Sequence, residues 1–506
     1  MSPFQLIWVL AAFLGAVALE SSPAAVLSLP ATLILQVTRT PTVHGPALAC
    51  AGLLLGAILL QGHRHARLER AWWFTAGAAA IAFSIWFLRA GDLDWASTND
   101  WLKEWTYATA WQEALRSGRL PWFLAQTFQG TDRLLANPEA ILAPHVVLLR
   151  WMTPGAFLTL NAMICAGIGT AALACLCREL ALTPLVAFVV LAVYLINGHV
   201  VSHLYSGHLQ WVTCWLLPSV LLFLYCAGTG RASSRTAIGL AGSLTLIVML
   251  GGWHVFVWGV IFVAVWTVVD PSRWVFTLTA AAWTAGLIAY RLAPATAVFA
   301  SSGNVFLGGY PSLGVVVAAF VGEPRDAING LSWWEYDAFI GWVGFTLVCA
   351  GAVAITRHQR QSAVGQFWVP SAALVVLSSL DVYKWTLFHL PGFVSERVST
   401  RLIWMAVLGF TCIGSVAING WAAQTSYRHL RTVTLTAAGA SAMQMLLRAN
   451  TFRPAPAQLE APLPHAVLGA RAVPLAYAGS VWAGAAVSLA VLGLGLRQWF
   501  AERAAH

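Results

Sequence analysis

The chain has 506 residues, of which 59% are hydrophobic and only 9% are charged. A soluble domain carries about 25% charged residues, so the composition excludes an ordinary soluble protein. Apolar runs recur along the whole length and predict an all-α, polytopic transmembrane helical bundle of about 13–15 spans. The net charge of +9 is explained by basic loops on one side of a membrane, and no nucleic-acid partner is expected.

Three units follow one another along the chain. Residues 1–70 predict N-terminal transmembrane helices; the first apolar stretch, Leu6 to Leu19, lacks a basic leader and is expected to be retained. Residues 71–425 predict a transmembrane core with extracytoplasmic loops, and residues 426–506 predict C-terminal helices with one outer loop.

The basic residues cluster in short connectors, which are expected to face the cytoplasm. These connectors are residues 63–70, Arg178, Arg231 with Arg235, Arg273, Arg357 with Arg360, Arg428 with Arg431, and Arg497 with Arg503. The long hydrophilic loops then fall on the opposite side. They are residues 90–152, 197–210, 292–337, 381–400 and 448–474. Long loops of this kind commonly carry function, so the outer side is where a functional site is expected.

The first outer loop concentrates carboxylates. Residues 100–115 contain good helix formers and neither proline nor glycine, which predicts an amphipathic helix with Asp100 in its first turn. Asp100 and Glu104 are four residues apart and therefore share one face of that helix. Asp92 and Asp94 precede it. Such a cluster acts in acid–base chemistry or binds a cation; an acidic helix start resting at the membrane interface is the alternative.

Residues 100–149, which begin "DWLKEWTYATAWQEALRSGRLPWF", resemble the first periplasmic loop of the GT-C superfamily of integral membrane glycosyltransferases. The matching positions are Asp100, Gly118, Leu120, Pro121, Gly130, Ala136, Asn137, Pro138 and Pro144. Three later stretches are also similar to the family. They are "YSGHLQWVTCWLLP" at 205–218, "WWEYDAFIGWVGF" at 333–345 and "LPGFVSERVSTRLIWM" at 390–405.

The resemblance implies an enzyme that moves a hexosyl or pentosyl group from a polyprenyl-phosphate donor to an extracytoplasmic glycan, lipid or protein acceptor, with inversion. A carboxylate of the first loop would accept the proton of the acceptor hydroxyl. Asp100 is the first choice, Asp94 and Asp92 are the alternates, and Glu104 is a supporting or metal-binding partner. No cofactor is certain, and the identity of any metal stays unknown, although Mg²⁺ or Mn²⁺ prefers such oxygen ligands.

The resemblance also implies a multi-pass protein of the bacterial inner membrane, active on the extracytoplasmic side in cell-envelope synthesis. Its partners would be membrane lipids, the donor, the acceptor and the subunits of any larger membrane complex. Cations for the donor phosphate are predicted at Lys384, Arg397 and Arg401, because arginine offers a bidentate fork to phosphate oxygens. Snorkelling at the membrane interface is the alternative for these cations.

The third outer loop carries Trp333, Trp334 and Glu335, which are predicted to contact substrate; an amphipathic segment resting on the bilayer is the equal alternative. His208 belongs to the "G-H" element and is predicted to bind substrate as well. His199 and His203 share a helical face and permit a metal or haem site, but polar helix-end histidines are the preferred interpretation. His254 is expected to be an isolated intramembrane histidine bonded to a neighbour.

Three other classes of protein remain open. A transporter or flippase of lipid-linked saccharides would carry charges inside its helices near the middle of the membrane. A redox subunit would use the histidines. A catalytically silent GT-C-like subunit of a larger membrane complex would share the fold without the chemistry.

Overall fold

The computed structural model describes residues 44–62, 66–88, 100–127, 131–299, 305–322, 325–354, 362–390, 392–424, 427–452 and 467–504. Within these ranges the chain is helical and forms no β-strand beyond isolated bridges. The α-helices are α1 (His44–Gly62), α2 (Ala66–Leu88), α3 (Trp101–Arg116), α4 (Pro154–Glu179), α5 (Pro184–Leu195), α6 (Gly198–Tyr205), α7 (Leu217–Cys226), α8 (Ser234–Met249), α9 (Trp253–Val269), α10 (Trp274–Leu287), α11 (Ala289–Phe299), α12 (Leu313–Val321), α13 (Gly341–Val353), α14 (Trp368–Leu377), α15 (Val382–Thr386), α16 (Ile403–Gln424), α17 (Tyr427–Thr451) and α18 (Leu475–Ala504). Short 3₁₀ helices lie at Leu134–Ala136, Pro144–Arg150, Leu209–Leu216, Pro271–Arg273, Trp333–Glu335, Gly365–Phe367 and Ser399–Leu402.

Six helical segments of the described chain are long and apolar enough to cross a membrane, as expected of a multi-pass membrane protein. They are Ala66–Leu88, Pro154–Glu179, Pro184–Tyr205, Leu209–Arg231, Ser399–Gly420 and Leu475–Phe500. The pair α10 and α11, bent by 71°, makes a seventh if it is one span. Five further apolar helices have 10–17 residues. The predicted all-helical bundle is therefore confirmed, while the predicted number of spans stays a prediction because residues 1–43 lie outside the described ranges.

The described basic connectors gather at one end of the bundle. Arg178 Nε lies 3.6 Å from Glu69 Oε1, and Arg231 forms a bidentate ion pair with Glu179 at 2.6 and 3.1 Å. At the same end, Asn419 near the close of α16 accepts a hydrogen bond from the Thr183 backbone at 2.9 Å. The 26 residues of α4 span about 39 Å, so its start and the first outer loop lie at the opposite end.

The C-terminal helices pack on the central unit rather than apart from it. Arg448 of α17 pairs with Asp337 at 2.9 Å, and Ser488 of α18 accepts a hydrogen bond from the Tyr290 backbone at 3.0 Å. These contacts join the C-terminal helices to the central unit. The predicted domain boundaries at 70 and 425 stay predictions.

Two glycines allow α13 and α16 to touch backbone to backbone. A Cβ added at Gly351 would lie 2.0 Å from the Phe410 carbonyl oxygen, and one added at Gly414 would lie 2.0 Å from the Leu347 carbonyl oxygen. Small residues at a helix crossing permit this close approach. Inside a membrane, where the hydrophobic effect does not drive helices together, van der Waals packing at such crossings stabilises their association. The crossing helps fix the direction of α16, and the 3₁₀ helix Ser399–Leu402 just before it bears Arg401.

We expect Gly414→Ala to destabilise the protein by about 1–3 kcal/mol, because the new methyl group forces the two helices apart. Thermal unfolding of the detergent-purified protein, followed by tryptophan fluorescence, measures the change. Gly420→Ala is the matched control, since this glycine of the same helix has no atom within 4 Å of its added Cβ. Equal melting temperatures for the two variants would show that the crossing tolerates a side chain.

The arrangement of the connectors also predicts which residues label from each side of the membrane. In a cysteine-free background, Ser233→Cys should react with an impermeant maleimide only after the cells are opened, because basic connectors stay in the cytoplasm. Ser117→Cys, at the exposed end of α3, should react in intact cells. Labelling of Ser233→Cys from outside would invert the predicted orientation.

Candidate functional site

Asp100 stands immediately before α3, at its cap position rather than in the first turn as predicted, and its side chain makes no capping hydrogen bond. Its backbone N–H donates to the Ser206 carbonyl at 3.2 Å. Gly207, with φ +93°, permits this approach, because a Cβ there would lie 2.3 Å from the Trp101 nitrogen. The turn before His208 therefore supports Asp100 directly.

The Asp100 carboxylate is half exposed, at 47%, and its Oδ2 lies 3.0 Å from His208 Nε2. A carboxylate only accepts hydrogen bonds, so this imidazole nitrogen carries the proton. Burial lowers the pKa of His208 despite its contact with Asp100, which leaves the ring neutral and its Nδ1 an acceptor. His203 Nδ1, 2.8 Å away, then donates to it.

Lys103 is buried and lies among three carboxylates. Its Nζ is 3.0 Å from Glu139 Oε2, 3.5 Å from Asp100 Oδ2 and 3.7 Å from Glu104 Oε1. The surrounding carboxylates raise the pKa of Lys103 although burial alone would lower it. One ammonium therefore faces all three carboxyl groups.

The two predicted carboxylates of α3 differ in protonation. Burial alone would raise the pKa of Asp100, but the hydrogen bond from His208 and the charge of Lys103 lower it to about 2. Burial raises the pKa of Glu104 to about 8, in spite of the opposing charge of Lys103. At neutral pH Asp100 is an ionised carboxylate that meets solvent, whereas Glu104 is a protonated group sealed inside. Different environments have separated the two pKa values, a pattern found where one carboxyl group acts as base.

The Glu139 carboxylate also belongs to this group, although it lies 36 residues after Lys103 in the first outer loop. Asn137 fixes the turn before it: its Oδ1 accepts the Glu139 N–H at 3.0 Å, and its Nδ2 donates to Tyr107 Oη at 2.6 Å. The buried Arg291 donates to the Ala140 carbonyl. These bonds hold the Glu139 carboxylate beneath α3.

His254, at the start of α9, lies between two buried carboxylates. Its Nε2 is 3.0 Å from Glu139 Oε1, and its Nδ1 contacts Glu396 Oε1. The other oxygen of Glu396 accepts the Trp258 indole N–H at 3.0 Å. The prediction of an isolated histidine was therefore wrong, while its bond to a neighbour is confirmed.

Trp211 joins the histidines to the third outer loop. The His203 ring stacks on it at 4.3 Å, and the Arg401 guanidinium lies 4.8 Å from its centre. Its indole N–H donates to His199 Nε2 at 2.9 Å, and His199 Nδ1 contacts the Asp337 carbonyl at 3.3 Å. These imidazoles serve as packing and hydrogen-bonding groups around one indole.

Arg401 makes a bidentate pair with Glu335, at 2.8 and 2.6 Å. Burial alone would raise the pKa of Glu335, but Arg401 holds it below its ordinary value. Two nitrogens of the Arg401 guanidinium are thus already bonded to a carboxylate, which leaves fewer N–H groups for a donor phosphate.

The structure brings together five of the predicted residues: Asp100, Glu104, His208, Glu335 and Arg401. The other predicted residues lie elsewhere. Lys384 lies over the Trp385 ring at 5.0 Å, the Arg397 side chain is exposed, and Trp333 is buried with Trp334 half-buried beside it. Asp94 and Asp92 lie outside the described residues.

Sequence reasoning missed Lys103, Glu139, Glu396 and Trp211 as members of the site. All four stand inside the sequence stretches quoted for the predicted resemblance, which was the available signal. Nothing in the linear order showed that Lys103 and Glu139, 36 residues apart, form one ion pair.

The carboxylates do not fit a divalent metal ion. The described residues hold no group of three or more potential ligands that could bind one. The Lys103 ammonium already lies between Asp100, Glu104 and Glu139, and Glu104 keeps its proton at neutral pH. Mg²⁺ or Mn²⁺ would have to displace this ammonium, so no step is assigned to a metal.

The sequence matches no protein-family model and no curated protein. The resemblance to GT-C glycosyltransferases therefore stays a prediction from the quoted motifs, and the geometry of the site is the basis for a function.

The protonated state of Glu104 predicts how stability depends on pH. A carboxyl group whose folded pKa is raised contributes stability below its ordinary pKa, and this contribution is lost as the pH rises towards about 8. The loss is about 1.4 kcal/mol for each pH unit in that window. Glu104→Gln should match the wild type at pH 5 and melt at a higher temperature at pH 9.

Thermal unfolding at a series of pH values compares the two proteins. Glu69→Gln, at a half-exposed carboxylate of the opposite end, is the matched control and should follow the wild type. Parallel curves for Glu104→Gln and wild type would mean that Glu104 is ionised in the folded protein.

Proposed function

We propose that this protein is an integral membrane glycosyltransferase that moves a sugar from a polyprenyl-phosphate donor to an extracytoplasmic hydroxyl acceptor, with inversion. The observation that carries the proposal is Asp100. It is an ionised, half-exposed carboxylate on a cluster in which the neighbouring Lys103 and Glu104 are buried and His208 is only slightly exposed. A reacting hydroxyl from the aqueous side reaches Asp100 before any other member of this group.

The proposed reaction is a displacement at the anomeric carbon. The acceptor oxygen forms the new bond to that carbon as the bond to the donor phosphate oxygen breaks, and the polyprenyl phosphate leaves with the electron pair. Asp100 takes the proton that the acceptor hydroxyl loses. A single base on the face opposite the leaving group gives inversion.

A weak base suffices for this chemistry. The transition state resembles an oxocarbenium ion, so the hydroxyl becomes acidic only once its bond to carbon is forming. The low pKa of Asp100 keeps the carboxylate ionised and ready at any ordinary pH. Because the group meets solvent, it returns the proton to water at the end of the cycle.

The donor phosphate needs cations that are not already paired. The Arg401 fork is held by Glu335, so within the fourth outer loop the exposed Arg397 and the half-buried Lys384 are better placed to meet a phosphate. Charge-assisted bonds from these groups to a phosphate would be stronger than neutral ones. Trp333, Trp334 and His208 remain proposed substrate contacts.

A lipid-linked saccharide transporter is the second candidate. The buried pairs Glu335–Arg401 and Asp337–Arg448 favour it, because ionisable groups inside a membrane bundle often line a transport path. These pairs lie beside the start of α6 and near the outer end of α16, however, and a path through the membrane would need charges further along both helices.

We expect Asp100→Asn to lower turnover by roughly 100- to 10,000-fold, because the amide keeps the shape of the side chain and cannot accept the proton. Folding and donor binding should change little. Transfer of labelled sugar from a set of polyprenyl-phosphate donors measures the effect. Asp326→Asn, at an exposed carboxylate of the third outer loop, is the control and should keep full activity.

Near-normal turnover of Asp100→Asn would reject Asp100 as the base. A loss confined to Asp94→Asn or Asp92→Asn would move the base to that residue. Transfer by none of the donors, together with saccharide movement across proteoliposome membranes, would favour the transporter. If neither sugar transfer nor saccharide movement occurs, the remaining hypothesis is a catalytically silent subunit of a larger membrane complex.

A further inference from the structure

Glu139, His254 and Glu396 form a row of contacts beneath the candidate site. One imidazole nitrogen of His254 faces Glu139 at 3.0 Å, and the other contacts Glu396. All three residues are buried, and Glu396 is fully enclosed.

The remaining carboxylate oxygens also face nitrogen donors. Glu139 Oε2 accepts from Lys103 Nζ at 3.0 Å, and Glu396 Oε2 accepts from Trp258 Nε1 at 3.0 Å. A carboxylate surrounded by donors needs no proton of its own, and an imidazole that donates from both nitrogens is positively charged. In this row Lys103 and His254 therefore carry positive charges, and Glu139 and Glu396 carry negative charges.

Within this row the two positive and two negative groups cancel, while the nearby charge of Asp100 is outside the row and is met by solvent and His208. An isolated charge in this setting would be very costly to bury, whereas a balanced, hydrogen-bonded set removes most of that cost. Taking away one member leaves an unpaired buried charge. Taking away one positive and one negative member together leaves the set balanced.

The four residues come from four separate parts of the fold. Lys103 is on α3, Glu139 is in the first outer loop, His254 begins α9, and Glu396 lies in the fourth outer loop just before the 3₁₀ helix Ser399–Leu402. The row thus ties both outer loops to α9. Its Lys103 end lies 3.5 Å from Asp100.

We infer that Lys103, Glu139, His254 and Glu396 form a charge-balanced lock that holds the first outer loop in place and thereby positions Asp100. The four act as one unit through their summed charge. They are positioning residues, since none of them is the proposed base. The lock stands on its own geometry, and only its benefit to catalysis rests on the proposed function.

The test is a double-mutant cycle on the full-length protein in detergent, with His254→Gln, Glu396→Gln and the two combined. Hydrogen–deuterium exchange of residues 131–143 reports how often the loop opens, and thermal unfolding reports overall stability. Each single variant should speed exchange by roughly 100-fold and lower the melting temperature, because it strands a buried charge. The combined variant removes one charge of each sign and should recover most of both losses.

Glu179→Gln is the matched control, because it breaks an exposed ion pair at the opposite end of the bundle and should leave exchange in 131–143 unchanged. A combined variant whose losses equal the sum of the single losses would overturn the lock, because each residue would then act separately. If His254→Gln fails to fold, Glu396→Gln is compared with the combined variant alone. The combined protein must then be the more stable one, and the reverse order rejects the proposal.

Sugar transfer separates the lock from the proposed function. Where transfer is measured, kcat should fall by about tenfold in each single variant, KM for the donor should stay unchanged, and kcat should recover in the combined variant. A purely structural need for the two side chains would give no such recovery. If the losses in the cycle are additive and Asp100→Asn is inactive, only the lock is rejected. If the combined variant recovers its stability in a protein that transfers no sugar, only the proposed glycosyltransferase activity is rejected.

Discussion

The ammonium group of Lys103 is the point on which the site depends. It is buried, and it lies within 3.7 Å of a carboxylate oxygen of Asp100, Glu104 and Glu139. Without this cation the ionised carboxylates around it would repel one another in a region from which water is largely excluded, where charges interact strongly. Its charge helps Asp100 stay ionised at the surface, whereas burial keeps the proton on Glu104 in spite of it.

The backbone around this ammonium is shaped by breaks in helices. The helical segment Pro184–Tyr205 is interrupted at Asn197, whose side chain accepts from the Val200 N–H at 2.8 Å and donates to the Tyr194 carbonyl at 2.7 Å. Gly198 follows, and a Cβ there would lie 2.6 Å from Asp337 Oδ1. The third outer loop therefore packs onto the start of α6, and polar helix ends, rather than apolar helix middles, supply the site.

The sequence predicted the helical bundle well, because apolar runs and basic connectors are local signals. It also predicted the α3 helix and five residues that the structure brings together. It did not predict their partners. The sequence shows no partner for the Arg401 guanidinium, yet the carboxylate of Glu335, 66 residues before it, accepts two of its hydrogen bonds. His254 reads as isolated, yet its carboxylates are 115 and 142 residues away. Composition shows that a charge exists, whereas only the fold shows which counter-charge it meets.

Asp100 and Glu104 show why the choice between two similar residues needs this information. Both are carboxylic acids at the start of α3, with Asp100 immediately before the helix and Glu104 in its first turn. Their spacing alone does not distinguish them. His208 and solvent stabilise the charge of Asp100, whereas Glu104 Oε1 is buried and its nearest cation is 3.7 Å away, beyond hydrogen-bonding distance. In the proposed transfer, an acceptor hydroxyl would have to meet an ionised oxygen that water can also reach, so that the proton leaves after each cycle. Asp100 is the one of the pair that meets both conditions, and a neutral Glu104 beneath it would not compete for Lys103.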